Sequence, residues 1–169
     1  MHAAARFPLR TLRTLRTAVL LPLMVLALVL TTVAIAAPSA DAAGSARLEK
    51  IRKAVRIVAA QKGDAYQWGA AGPNAFDCSG LTYYSYRKAG LRNVPRTSNQ
   101  QAAAVERISK RSMRRGDFVF FAKNGRVYHM GVFAGRRNGS EYIIHAPYGS
   151  QRVKRERIWT SSWFGGSLR

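Results

Sequence analysis

Residues 18–37 form an apolar run broken only by Pro22, Thr31 and Thr32, with no acidic residue anywhere before it. Arg6, Arg10, Arg13 and Arg16 precede the run, and Pro38 with Ser39-Ala40-Asp41-Ala42-Ala43 follows it. A basic segment, an apolar segment and a small-residue segment in that order make a secretory signal, and Ala40-Asp41-Ala42 fits the A-x-A cleavage pattern. Residues 1–42 are therefore predicted to be a signal peptide, and residues 43–169 a single exported domain, secreted or held at the cell envelope. The competing reading is an uncleaved anchor, since about 20 apolar residues can span a bilayer. The small-residue site favours cleavage, so contact with a membrane is expected only if the segment is kept. No arginine pair marks the basic segment, which argues against a twin-arginine route.

The charge balance narrows the partners. The chain carries 28 Lys and Arg against 8 Asp and Glu, a net of +20. Removing Arg6, Arg10, Arg13, Arg16 and Asp41 with the signal leaves 24 against 7, still +17. Such a field attracts anionic polymers and surfaces. Export disfavours nucleic acid, and no strip of interleaved basic and aromatic residues offers a stacking platform for bases. Anionic wall polymer or a membrane surface is the better match.

Cys78 is the one cysteine, so no internal disulfide can form. A single thiol in an exported chain suggests intermolecular pairing or a reactive group. His2 leaves with the signal, so His129 and His145 are the remaining imidazoles. One thiol and two imidazoles suffice for nucleophilic catalysis by a Cys/His pair. A zinc site from the same three residues is disfavoured because no paired-ligand spacing is present. No metal or cofactor is expected.

The surroundings of each residue sharpen this reading. A Gly- and Pro-rich loop runs from Tyr66 to Asp77, and a helical pattern starts at Cys78 with Leu81, Tyr84, Ser85 and Lys88 on one face and Gly90 at its close. Asp77 is placed as N-cap and Cys78 in the first turn, where helix dipole and free amides stabilise a thiolate and an oxyanion. His129 opens one apolar run and His145 ends another, with Gly135-Arg136-Arg137-Asn138-Gly139-Ser140 between them as a hairpin connection. Antiparallel pairing would bring the two imidazoles together at one end of the hairpin, as base and orienting partner.

Around these residues stand an amphipathic helix with Leu48, Ile51, Val55 and Val58 on one face, and a short helix from Thr97 with Gln100 completing a capping box. Strands are predicted over 117–122, 128–134, 141–145 and 151–157. Trp159, Trp163 and Phe164 read as packing of the tail.

The blocks Trp68-Gly69, Pro73, Phe76-Asp77-Cys78-Ser79-Gly80-Leu81, Pro95-Arg96-Thr97-Ser98, Gly116-Asp117-Phe118-Val119-Phe120-Phe121, His129-Met130-Gly131-Val132 and Ile144-His145-Ala146-Pro147 resemble, in order and spacing, the NlpC-type peptidoglycan cysteine peptidases. The resemblance runs from about Leu48 to Ile158. It implies an α+β, papain-like fold, with the nucleophile helix packed on an antiparallel sheet that carries the base. By position it makes Cys78 the nucleophile, His129 the base and His145 the third polar residue, with Tyr66, Asp77, Ser79 and Arg96 near the substrate. It implies a hydrolase that acts on peptidoglycan stem peptides, most directly at the bond between D-γ-glutamate and a diamino acid, and a monomer is expected. Ala70 stands where a second glycine commonly follows the Trp-Gly pair, and Arg115 where a proline commonly precedes Gly-Asp. An amidase or thiol acyltransferase on the same fold, or a wall-binding domain without catalysis, remain the alternatives.

Overall fold

The computed structural model describes residues 40–169. Nearly all of the expected signal lies outside them; Ala40, Asp41 and Ala42, at the expected cleavage site, form the first turn of a helix. That helix, α1 (Ala40–Ala60), buries Ile51, Ala54, Val55 and Val58 and leaves Leu48 at its rim. The short strands β1 (Ala65–Tyr66) and β2 (Ala75–Phe76) pair in parallel and frame the loop that leads into α2 (Cys78–Lys88).

α2 begins where predicted. Its buried face, however, is Leu81, Thr82, Ser85 and Tyr86, with Lys88 in solvent. The face is rotated because the small polar Thr82 and Ser85 let the helix approach the sheet, and because Tyr86 has a polar anchor inside. Its hydroxyl donates to the Gly116 carbonyl at 2.6 Å, and its ring meets Phe118 edge-on. Gly90, at φ 97°, ends the helix as Leu91 N–H turns back to the Tyr86 carbonyl. α3 (Ser98–Ala103) carries the predicted capping box between Thr97 and Gln100.

A six-stranded sheet takes up the rest of the chain. β3 (Glu106–Ile108) is followed by a 3-10 turn at Lys110–Ser112 and then β4 (Phe118–Lys123), β5 (Arg126–Arg137), β6 (Ser140–His145), β7 (Lys154–Arg157) and β8 (Phe164–Ser167). The spatial order is β3-β8-β4-β5-β6-β7, antiparallel at every described pairing. The predicted final strand is shorter than expected, beginning at Lys154, and β3 and β8 were not predicted.

Side chains alternate across the sheet. Phe118, Phe120, Met130, Val132 and Ile144 pack under α1 and α2. Val119, Phe121, Phe133 and Ile143 form a second core with Met113, Ile158 and Trp163 on the other face. β4 is thus apolar on both sides, as its unbroken Phe-Val-Phe-Phe run requires. The tail does not simply pack on the outside: Phe164 enters β8, which lies between β3 and β4. Gly165 and Gly166 make that possible, because a Cβ at either would run into Met113 or Val105.

Candidate active site

Cys78 is half-buried at the first position of α2. Asp77 caps that helix in extended conformation and accepts the Gly80 amide at 2.6 Å. The same carboxylate accepts from Ser79 Oγ at 3.1 Å and from the Gly69 amide at 3.0 Å. Arg96 holds it with both ends of its guanidinium, at 3.0 and 2.6 Å, and reaches Ser79 Oγ at 3.1 Å and the Ala70 carbonyl at 3.2 Å. Gly80 is required: the Ala70 carbonyl oxygen lies where a Cβ would stand, and it also accepts the Asp77 amide. The Asp-Cys-Ser-Gly block is therefore a helix start clamped to the preceding loop. Asp77, Ser79 and Arg96, expected near substrate, are bound first to one another. Arg96, more than the Gly80 and Ser79 donors, keeps the Asp77 carboxyl below its ordinary range against the opposing effect of burial, which is the largest single influence.

Tyr66 reaches the same cleft. Burial raises its phenol pKa, and the charges of Cys78 and Asp77 add to that, while Tyr148 packs edge-on at 5.4 Å.

The hairpin of β5 and β6 places the imidazoles as expected. One step beyond the Val132–Ile144 pair, Gly131 stands across from His145, and a Cβ on Gly131 would meet the His145 Cβ at 2.9 Å. With that space open, His145 lies beside His129, Nδ1 to Nε2 at 2.6 Å and the rings nearly perpendicular. Glu156 on β7 comes within 2.9 Å of the other nitrogen of His145. Trp159 stacks on Phe121 at 4.6 Å and lies 6.0 and 5.6 Å from the rings of His129 and His145. It lines a groove of about 460 Å³ with both histidines, Tyr128, Tyr148 and Glu156. The reading of Trp159 as tail packing is thus corrected: half-exposed, it forms a wall of the histidine groove.

The Cys78 thiol and the His129 ring are brought together more loosely than the two imidazoles. The amides of Met130, the residue after His129, and of Ser79 lie near enough to the Cys78 sulfur to favour its charged form. The thiol and the His129 ring make no hydrogen bond to one another. Burial is the main influence on all three groups. It pushes the Cys78 thiol up despite those amides, His129 down to about 3 and His145 down to about 4. Against the thiolate favoured by the helix N-terminus, desolvation works toward a neutral thiol and neutral imidazoles. Among the described residues no group of three His, Cys, Asp or Glu stands close enough to hold a metal ion.

A thiol at a helix start packed against an antiparallel sheet that presents paired imidazoles is the arrangement of a papain-like fold, and the comparisons agree. The NlpC/P60 family model matches residues 63–166. The chain belongs to the NlpC/P60 family. It is 43% identical over 109 residues to the protein named Probable endopeptidase p60 of Listeria monocytogenes, a match covering 63% of this chain and 21% of that one. It is 34% identical over 126 residues to Murein DD-endopeptidase MepH of Escherichia coli, covering 68% and 44%. The P60 domain of an antigen from M. avium subspecies paratuberculosis superposes with a TM-score of 0.62 at 26% identity, over 72% of this chain and 96% of that one. The matched region spans about a fifth of the Listeria relative and under half of MepH.

Proposed function

We propose that the protein is an exported cell-wall hydrolase that cuts a peptide bond of peptidoglycan by cysteine acyl-enzyme chemistry. The observation that carries this reading is the Cys78 thiol at the start of α2, with the hairpin that it packs against presenting His129 in a 2.6 Å contact with His145. Relatives named as endopeptidases support the reaction class.

In the proposed cycle the proton on Cys78 Sγ passes to His129 Nδ1 as sulfur adds to the amide carbonyl. The N–H groups at the start of α2 hold the oxyanion. His129 then returns the proton to the leaving amine, and water releases the acyl group. Neutral partners suit this sequence, since the proton moves only when substrate is in place. Tyr66 and the exposed edge of Arg96 face the entering peptide, while Asp77 and Ser79 hold Arg96 in position.

The bond proposed is that between D-γ-glutamate and the diamino acid of the stem peptide. The name of MepH favours a second reading, cleavage of the cross-link between stems. Mass spectrometry of wall fragments incubated with the protein, beside a Cys78→Ala control, separates them. New ends at the D-glutamyl bond support the first, loss of dimeric muropeptides without such ends the second, and release of intact stems an amidase. No products from any fragment would favour a binding domain. The basic surface is proposed to hold the enzyme to anionic wall polymer. Binding to purified sacculi should then weaken as salt rises, and salt-independent binding would refute it.

A further inference from the structure

The groove beside the histidines contains two charged side chains that the proposed cycle does not use, Glu156 and Lys154. Glu156 lies on β7, an edge strand, about one-third exposed. Its Oε1 is 2.9 Å from His145 Nε2, an ion-pair contact that falls short of hydrogen-bond alignment, and that buried nitrogen has no hydrogen-bond partner. Its Oε2 is 2.7 Å from Lys154 Nζ, and Lys154 in turn donates to Gln151 Oε1 at 2.9 Å. The carboxylate is therefore held from one side and aimed at a buried imidazole from the other.

We propose that Glu156 is a fourth, positioning member of the site, which sets the proton arrangement of the whole histidine pair. An ionised carboxylate can only accept. The proton of neutral His145 is thereby placed on Nε2, leaving a lone pair on Nδ1. At 2.6 Å from that lone pair, His129 Nε2 must be the donor. His129 is then left with its lone pair on Nδ1, the nitrogen that the proposed cycle needs as base. With the opposite arrangement, His145 would donate from Nδ1, His129 would carry its proton on Nδ1, and the base would be blocked. When His129 takes the Cys78 proton it becomes an imidazolium that still donates its Nε2–H to His145 Nδ1, and the charge stays on His129, stabilised by the oriented dipole of His145 and the carboxylate of Glu156. Glu156 itself gains no proton. Lys154 on β7, His129 on β5 and Trp159 are the other groups that surround His145.

This assignment rests on the proposed function for its catalytic consequence, not for its proton positions. The test combines ring-nitrogen NMR near pH 7, which reads protonation site by site, with steady-state kinetics on native protein, Glu156→Ala and Glu156→Gln. In native protein both histidines should carry the proton on Nε2 and a bare Nδ1. Glu156→Ala should shift part of the population to Nδ1–H on both rings and lower kcat roughly 10- to 100-fold with KM little changed, as for other groups that orient a functional imidazole. Glu156→Gln still offers an oxygen to Nε2, so it should keep the native tautomer and lose less activity. Ring-nitrogen signals in Glu156→Ala identical to native would overturn the proposal. Native protein without hydrolytic activity, but with tautomers that respond to Glu156→Ala, would sink the proposed reaction and leave the positioning role standing.

Discussion

His129 and His145 meet at 2.6 Å because Gly131, across the hairpin from His145, offers no side chain to keep them apart. The Gly131 position also faces the Ile144 carbonyl oxygen at 2.9 Å from a notional Cβ, so neither neighbour can yield without moving β6. Gly131→Ala is expected to destabilise the protein by about 1–3 kcal/mol. Because small misplacements of a base cost far more than their energy of packing, kcat should fall by roughly a hundredfold. Denaturant melts and kinetics on the same samples check both. Unchanged kcat would mean that the histidine contact has no role in turnover.

Burial holds His129 and His145 well below the usual imidazole range, at about 3 and about 4 against an unfolded value of 6.5. The unfolded chain therefore binds protons that the folded one does not as pH falls from 6.5 toward 4, so folding stability should decline through that window. Asp77, depressed below its ordinary 3.8, extends the loss at still lower pH. Calorimetry in buffers of different ionisation enthalpy should show net proton uptake on unfolding near pH 5. Absence of uptake would mean that the imidazoles titrate normally.

The Cys78 thiol is raised above its ordinary value of 9.0, chiefly by burial. Alkylation by iodoacetamide without substrate should be slow at neutral pH and still rising above pH 9, since the thiolate is the reacting form. A plateau below pH 8 would instead reveal a thiolate stabilised at rest.

Arg96 grips Asp77 through two nitrogens and ties Ser79 and Ala70 to the same point. A lysine has a single ammonium and cannot reproduce that fork. Arg96→Lys should lower stability by about 1–3 kcal/mol, the range for hydrogen bonds to a charged, largely buried group. It should also loosen the Trp68-Gly69 loop. Urea melts measure the first effect, and tryptophan fluorescence anisotropy at exposed Trp68 follows the second.

Those parts of the site that depend on local rules were readable from the chain. Asp77 before Cys78 announced a capped helix, Thr97 with Gln100 a capping box, and the Gly135–Ser140 turn a hairpin with His129 and His145 at one end. What escaped depends on tertiary neighbours. Gly165 and Gly166 carry no strand signal, yet they alone fit beside Met113 and Val105, so β8 could not be seen. Glu156 stood in a charged stretch of ambiguous period, and only the register of β6 with β7 turns it toward His145. Trp159 looked like one more tail aromatic until Phe121 gave it a stacking surface beside the histidines. The helix N-terminus at Cys78 is visible in sequence, whereas the desolvation that opposes charge there is not.

The place of β8 inside the sheet governs when this molecule can finish folding. A nascent chain that has emerged through Ile158 already holds Cys78, His129, His145 and Glu156, yet β4 lacks its second partner and β3 has none. Only with Phe164–Ser167 does β4 gain that partner and β3 join the sheet, so all four side chains are synthesised before the sheet that holds them is whole.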